Sequence, residues 1–116
     1  MENSSKIPTS SIRKGDVWLA YDLHSNKNRP FIIISDKLVG IDVDMSVLTV
    51  TSISKTRNPY DIDLKFWKEA GLFKPSIARC AKVQTLEQKL LRHKLGVLQP
   101  EDWEQVRQAV KDYFDF

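Results

Sequence analysis

The stretch Asn28-Arg29-Pro30-Phe31-Ile32-Ile33-Ile34-Ser35 constrains this chain more than any other. Four consecutive apolar residues, Phe31 to Ile34, send side chains to both faces of any strand that holds them, because strand side chains alternate. A strand wet on one face is not built this way. The pattern predicts a central strand over 30–35, covered on both sides. Pro30 suits its first position, where no N–H is needed for the ladder. The preceding residues, His24-Ser25-Asn26-Lys27-Asn28-Arg29, then form a basic loop at the sheet rim. An arginine fixed there offers paired N–H donors of the geometry a phosphate accepts. A surface arginine beside a core strand is the plainer alternative.

The rest of the chain reads around that strand. A first strand is expected over 15–23, with Val17, Leu19, Tyr21 and Leu23 on one face and Trp18 and Ala20 on the other. Residues 46–53 are rich in β-branched side chains and end in the hydroxyls Thr51 and Ser52. Residues 60–64 alternate, which places Asp61 and Asp63 on a wet face. A strand over 76–83 sets Ile77, Arg79, Ala81 and Val83 on one side, with Cys80 a small filler on the other. Helical turns are expected over 66–70, closed by Gly71. Thr85 and Gln88 have capping-box spacing, which predicts a short helix over 86–91, and 94–98 can form a last short strand. Pro100, followed by Glu101 and Asp102, starts a helix whose Trp103, Val106, Ala109, Val110, Tyr113 and Phe114 form one apolar stripe. Residues 1–11 read as a flexible arm and 12–116 as one domain. Together these elements predict a mainly β (α+β) fold: a small, strongly curved barrel with short helices and a C-terminal helix.

Composition narrows the function. One cysteine permits no intrachain disulfide, which fits a cytoplasmic protein. No apolar run reaches the length of a membrane span, so no membrane partner is expected. Two histidines and one cysteine, widely spaced, give no metal-ligand pattern, and four unclustered glycines give no phosphate loop. No cofactor is implied. The net charge of +3 is modest, but its distribution is uneven. Between 74 and 94 stand Lys74, Arg79, Lys82, Lys89, Arg92 and Lys94 against the single acid Glu87. That clustering suits a polyanion. RNA can be cut without metal when its own 2′-OH attacks the neighbouring phosphate. Fixed arginines and hydroxyls then stabilise the charge that develops.

The ordered set Arg13-Lys14-Gly15-Asp16-Val17-Trp18-Leu19, Asn28 to Ser35, Val50-Thr51-Ser52-Ile53, Lys74-Pro75-Ser76-Ile77-Ala78-Arg79-Cys80, Lys82 to Glu87 and Lys94 to Asp102 resembles the MazF/PemK (Kid) toxins of type II toxin–antitoxin systems. The resemblance implies an SH3-like barrel, a homodimer, and a sequence-selective, metal-independent endoribonuclease. Its substrate would be single-stranded RNA (mRNA), cut to leave 2′,3′-cyclic phosphate and 5′-OH ends, and a cognate antitoxin protein would block the RNA groove. It implies catalytic roles for Arg29, Thr51 or Ser52 (Ser52 being the closer counterpart) and Arg79. His24 falls in the loop where the PemK branch has an RNA-contacting histidine. Lys27, Lys55, Arg57 and Lys82 are basic candidates for RNA binding. One departure stands out: where the PemK branch has an aspartate after Arg-Cys, this chain has Ala81. The alternative is therefore a weakened or inactive module of the same kind that binds RNA or an antitoxin peptide. A purely structural dimer, resting on the apolar tail from Trp103 to Phe116, is a third possibility.

Overall fold

The computed structural model describes residues 12–35, 44–53 and 57–116. The expected arm over 1–11 lies outside them. The described chain forms β1 (Asp16–Asp22), β2 (Lys27–Ile33), β3 (Asp44–Ser52), β4 (Asp61–Asp63), β5 (Ser76–Glu87), β6 (Leu91–Val97) and α1 (Pro100–Phe114). The strands make one antiparallel sheet in the order β4-β5-β3-β2-β1-β6.

The two-sided pattern of the central strands is expressed as two core clusters. Val17, Ile32, Leu48 and Val50 turn to one face, where α1 covers them with Val106 and Ala109. Trp18, Ala20, Phe31, Ile33 and Val47 turn to the other, where Ile12, Leu86 and Leu91 complete the cover. Of the helical stripe, Val106 and Ala109 are buried and Trp103 and Val110 partly so, whereas Tyr113 and Phe114 remain 44% and 43% exposed. Tyr113 meets Tyr60 edge-on at 5.2 Å between centroids.

The expected SH3-like barrel is corrected by the topology: the sheet is open. Its edge strands β4 and β6 pair only with β5 and β1, and no ladder joins them. A three-residue β4 is too short to turn the corner and close the ring. The gap is crossed instead by the segment after β4, which meets β6 backbone to backbone. Leu95 is the unpaired residue at a bulge between the Val17–Gly96 and Trp18–Lys94 pairs. Its carbonyl lies so near Gly71 that a Cβ there would stand 2.1 Å from the oxygen; a Cβ on Gly96 would stand 2.5 Å from the Ala70 carbonyl. The same segment is tied to α1 by Asp102. That carboxylate, 1% exposed, accepts the Lys65 N–H at 3.1 Å and the Phe66 N–H at 2.8 Å.

Two further expectations change. The helix over 86–91 is not formed. β5 runs on to Glu87, and only Gln88–Leu90 makes a 3-10 turn, with no side-chain cap. Pairing of Leu86 with Met45 and burial of Leu86 in the core outweigh the capping box. β2 begins at Lys27, so Lys27, Asn28 and Arg29 are in the strand rather than in a loop, and Pro30 stands mid-strand.

Gly71 has φ +85° besides its contact with Leu95, whereas Gly15, at φ +92°, has only the Trp103 ring 3.8 Å from a would-be Cβ. Gly71→Ala should lower stability by at least about 2 kcal/mol, since strain and overlap combine. Gly15→Ala should cost about 1 kcal/mol from strain alone. Urea unfolding midpoints at unchanged slope measure both.

Candidate functional site

Pro30 shapes the site. The β1–β2 ladder runs from Val17–Ile32 to Asp22–Lys27, but the β2–β3 ladder ends at Phe31–Thr49, next to the proline. Proline has no N–H for a ladder. Beyond that point β2 and β3 part, and Arg29, two residues on from Phe31, stands where they separate. Two clefts open there, and Arg29 lines both.

The first cleft, of about 430 Å³, holds Lys27, Asn28, Arg29, Thr51, Ser52 and Lys74, with the exposed ring of Phe73 at its wall. Two steps from the Phe31–Thr49 pair lead to Arg29 on β2 and Thr51 on β3, so by alternation these two share a face and Ser52 points to the other. The second cleft, of about 510 Å³, holds Arg29, His24, Thr49, Arg79, Lys82 and Gln84. His24 is carried there by the β1–β2 turn. Asp22 accepts the His24 N–H at 3.0 Å and the Ser25 hydroxyl at 2.9 Å, and Asn26 takes a positive φ of 57° to close the turn. Thr49 accepts a 2.8 Å hydrogen bond from the Gln84 amide, so its own hydroxyl hydrogen remains to donate.

Arg79 is set by a large bulge. Leu48 and Thr49 are neighbours on β3, yet their partners on β5 are Val83 and Arg79, so Cys80, Ala81 and Lys82 have no partner on β3. The bulge bends β5 and brings Lys82 into the cleft with Arg79. It also breaks the expected alternation over 76–83: Val83 pairs with Leu48 and packs with the α1-side core, off the row of Arg79.

The clefts thus gather Arg29, Thr51, Ser52, Arg79, His24, Lys27 and Lys82 from the candidates named above. Arg57 is not among them; its guanidinium pairs with Asp63. Lys55 lies outside the described residues. The sequence reading missed Asn28, Thr49, Phe73 and Gln84 as lining residues, and named Lys74 only within the basic cluster over 74–94. Only the Pro30 break, read as mid-strand, would have pointed to the parted strands they line. Among the described residues no group of three or more His, Cys, Asp and Glu side chains is placed to hold a metal ion, and no helix is long and apolar enough to cross a membrane.

A sequence profile of PemK-like, MazF-like toxins of type II toxin–antitoxin systems matches residues 13–114. The chain belongs to this family. Solved structures share the fold at low identity. An endoribonuclease from a mycobacterial species, in complex with its cognate antitoxin, superposes with a TM-score of 0.73 at 16% identity, over 90% of this chain and 96% of that one. The Mycobacterium tuberculosis toxin MazF-mt6 gives 0.70 at 21% identity, over 87% and 97%. A MazE–MazF structure from Deinococcus radiodurans gives 0.65 at 14%, over 89% and 94%. Comparison with curated protein sequences returns no match.

The cysteine of this PemK/MazF-type toxin follows Arg79 in β5 and is fully buried in the α1-side core. Burial first, and the Asp61 charge second, push the Cys80 thiol from 9.0 up to about 12. The sign follows: the unfolded chain releases this proton near pH 9 and the folded chain only near 12. The thiol's contribution to stability is therefore full below that window and declines through it, by at most about 1.4 kcal/mol per pH unit. Iodoacetamide at pH 8 should label Cys80 only after urea is added, and Cys80→Ala should show a shallower alkaline loss of stability.

Proposed function

We propose that this toxin is a sequence-selective, metal-independent endoribonuclease of single-stranded RNA that stops translation by cutting mRNA in the cytoplasm. One observation carries the reading: a single arginine, Arg29, lines two clefts. One of them is furnished with hydroxyls and lysine, the other with a second arginine and a histidine. A strand of RNA lying across both would bring one phosphate to Arg29 and leave its neighbours to Lys27 on one side and Lys82 on the other.

In this reading the 2′-OH beside the cut attacks the adjacent phosphorus. Its proton passes to a base, and the departing 5′ oxygen takes up a proton. The products are a 2′,3′-cyclic phosphate and a 5′-OH. Arg29 and Arg79 stabilise the phosphorane through charged N–H donors, and Thr51 adds a hydroxyl on the face of Arg29. His24 brings an imidazole, whose ring nitrogens can accept and donate a proton, into the second cleft. The family match and the mycobacterial endoribonuclease solved with its cognate antitoxin support a protein antitoxin as the natural inhibitor. We take the working toxin to be a homodimer, as the family resemblance implies.

The test is cleavage of a long single-stranded RNA in EDTA, with cut sites mapped and end groups identified. Cuts at a recurring short motif with cyclic-phosphate ends are expected. Arg29→Ala should reduce the rate by about 10²-fold or more while keeping the wild-type circular dichroism and unfolding midpoint. Cleavage that requires added magnesium, or an undiminished rate in the variant, would overturn the reading.

A further inference from the structure

Asp61 is where the structure departs most usefully from the sequence pattern. Alternation over 60–64 puts it with Asp63 on a wet face. In the fold Asp63 is exposed and paired with Arg57, but the Asp61 side chain is 0% exposed. The β4–β5 register sets Asp61 directly opposite Arg79, and the β3–β5 register sets Arg79 opposite Thr49. The three lie in one row across the sheet and lead from the buried edge to the second cleft.

The two carboxylate oxygens do different things. Oδ2 accepts the Asn58 N–H at 3.1 Å and so holds the turn that precedes β4. Oδ1 faces Arg79 Nε at 3.8 Å. Both of those atoms are buried, and neither has a hydrogen-bond partner. At this separation they attract as charges without making a hydrogen bond. A buried carboxylate needs a counter-charge, and a guanidinium that spends Nε on it keeps its terminal nitrogens free. The Arg79 side chain is 30% exposed and lines the second cleft.

We propose that Asp61 is the positioning residue of Arg79: its buried carboxylate holds Nε and so presents the terminal nitrogens to a phosphate in the second cleft. From β4, across the ladder, it supplies the carboxylate that the Arg79-Cys80-Ala81 run does not carry. The inference rests on reading the clefts as the RNA site. Asp61 itself does not reach the substrate, so it is neither the base nor the acid of the reaction.

The experiment has one arm that needs no catalysis. In the wild-type toxin, the Arg79 Nε–H should give a resolved NMR cross-peak that exchanges with water more slowly than that of the exposed Arg92, and Asp61→Asn should abolish the protection. In the second arm, Asp61→Asn should lower kcat/KM on an RNA oligonucleotide about tenfold or more, the usual cost of losing a group that orients a working side chain. The fall should lie mainly in kcat, and the substitution should add nothing in an Arg79→Ala background. Fast exchange of the Arg79 Nε–H in the wild type would overturn the proposal. So would an equal loss from Asp61→Asn with and without Arg79. A wild-type protein that cuts no RNA would instead remove the nuclease reading, and the exchange measurement would still decide whether Asp61 holds Arg79.

Discussion

A proline inside a central strand must release one neighbour. Pro30 stands between β1 and β3 with no N–H to give, and the sheet responds by keeping the β1 ladder and ending the β3 ladder at Phe31. The opening between β2 and β3 follows from that one missing donor. Parting the strands exposes Arg29 on two sides. The hydroxyl end of β3 becomes the wall of one cleft and Thr49 the wall of the other. The core a few ångströms away stays closed, because Phe31, Ile32 and Ile33 are fully buried on the two faces. The rigid and the open parts of β2 are thus consecutive residues.

The buried aspartates share one way of working. Asp16 accepts the Arg13 N–H and the Trp18 indole N–H and pairs with Lys94; Asp22 folds the β1–β2 turn; Asp61 holds the turn before β4; Asp102 fastens α1 to residues 65 and 66. In each, backbone N–H groups that a turn leaves unpaired find a charged acceptor. Asp16, Asp61 and Asp102 line neither cleft, and Asp22 is the one acid at the second, so the two clefts are lined by more basic than acidic side chains. That is the electrostatic character a polyanion meets.

Most of this fold can be read from residues. The two-sided apolar run, the alternation of β1, the β-branched β3 and the Pro100-led helix all follow from local pattern, and they survive because packing agrees with propensity. What could not be read depends on partners distant in sequence. The three-residue bulge after Arg79 exists only in relation to β3. The strand end at Thr85 to Glu87 is decided by Met45 and by the space for Leu86. Asp61 looks like a surface acid until Arg79 is set opposite. Closure of a barrel is likewise a property of the two edge strands together, and the brevity of β4 was masked by the apolar residues that flank it. The candidate site was legible as a set of charges and hydroxyls, but the sequence did not reveal that Arg29 would divide it into two clefts.

The crossing of Gly71 and Gly96 has a consequence for how such a chain can diverge. Where a tight spot is made by side chains, a larger residue on one side can be offset by a smaller one on the other, and sequences drift in pairs. Here each missing Cβ faces a carbonyl of the main chain, at Leu95 and at Ala70. No exchange of neighbouring side chains enlarges that space. Residues around the crossing can change, but at these two positions a side chain has no compensating route for as long as the turn rests on β6.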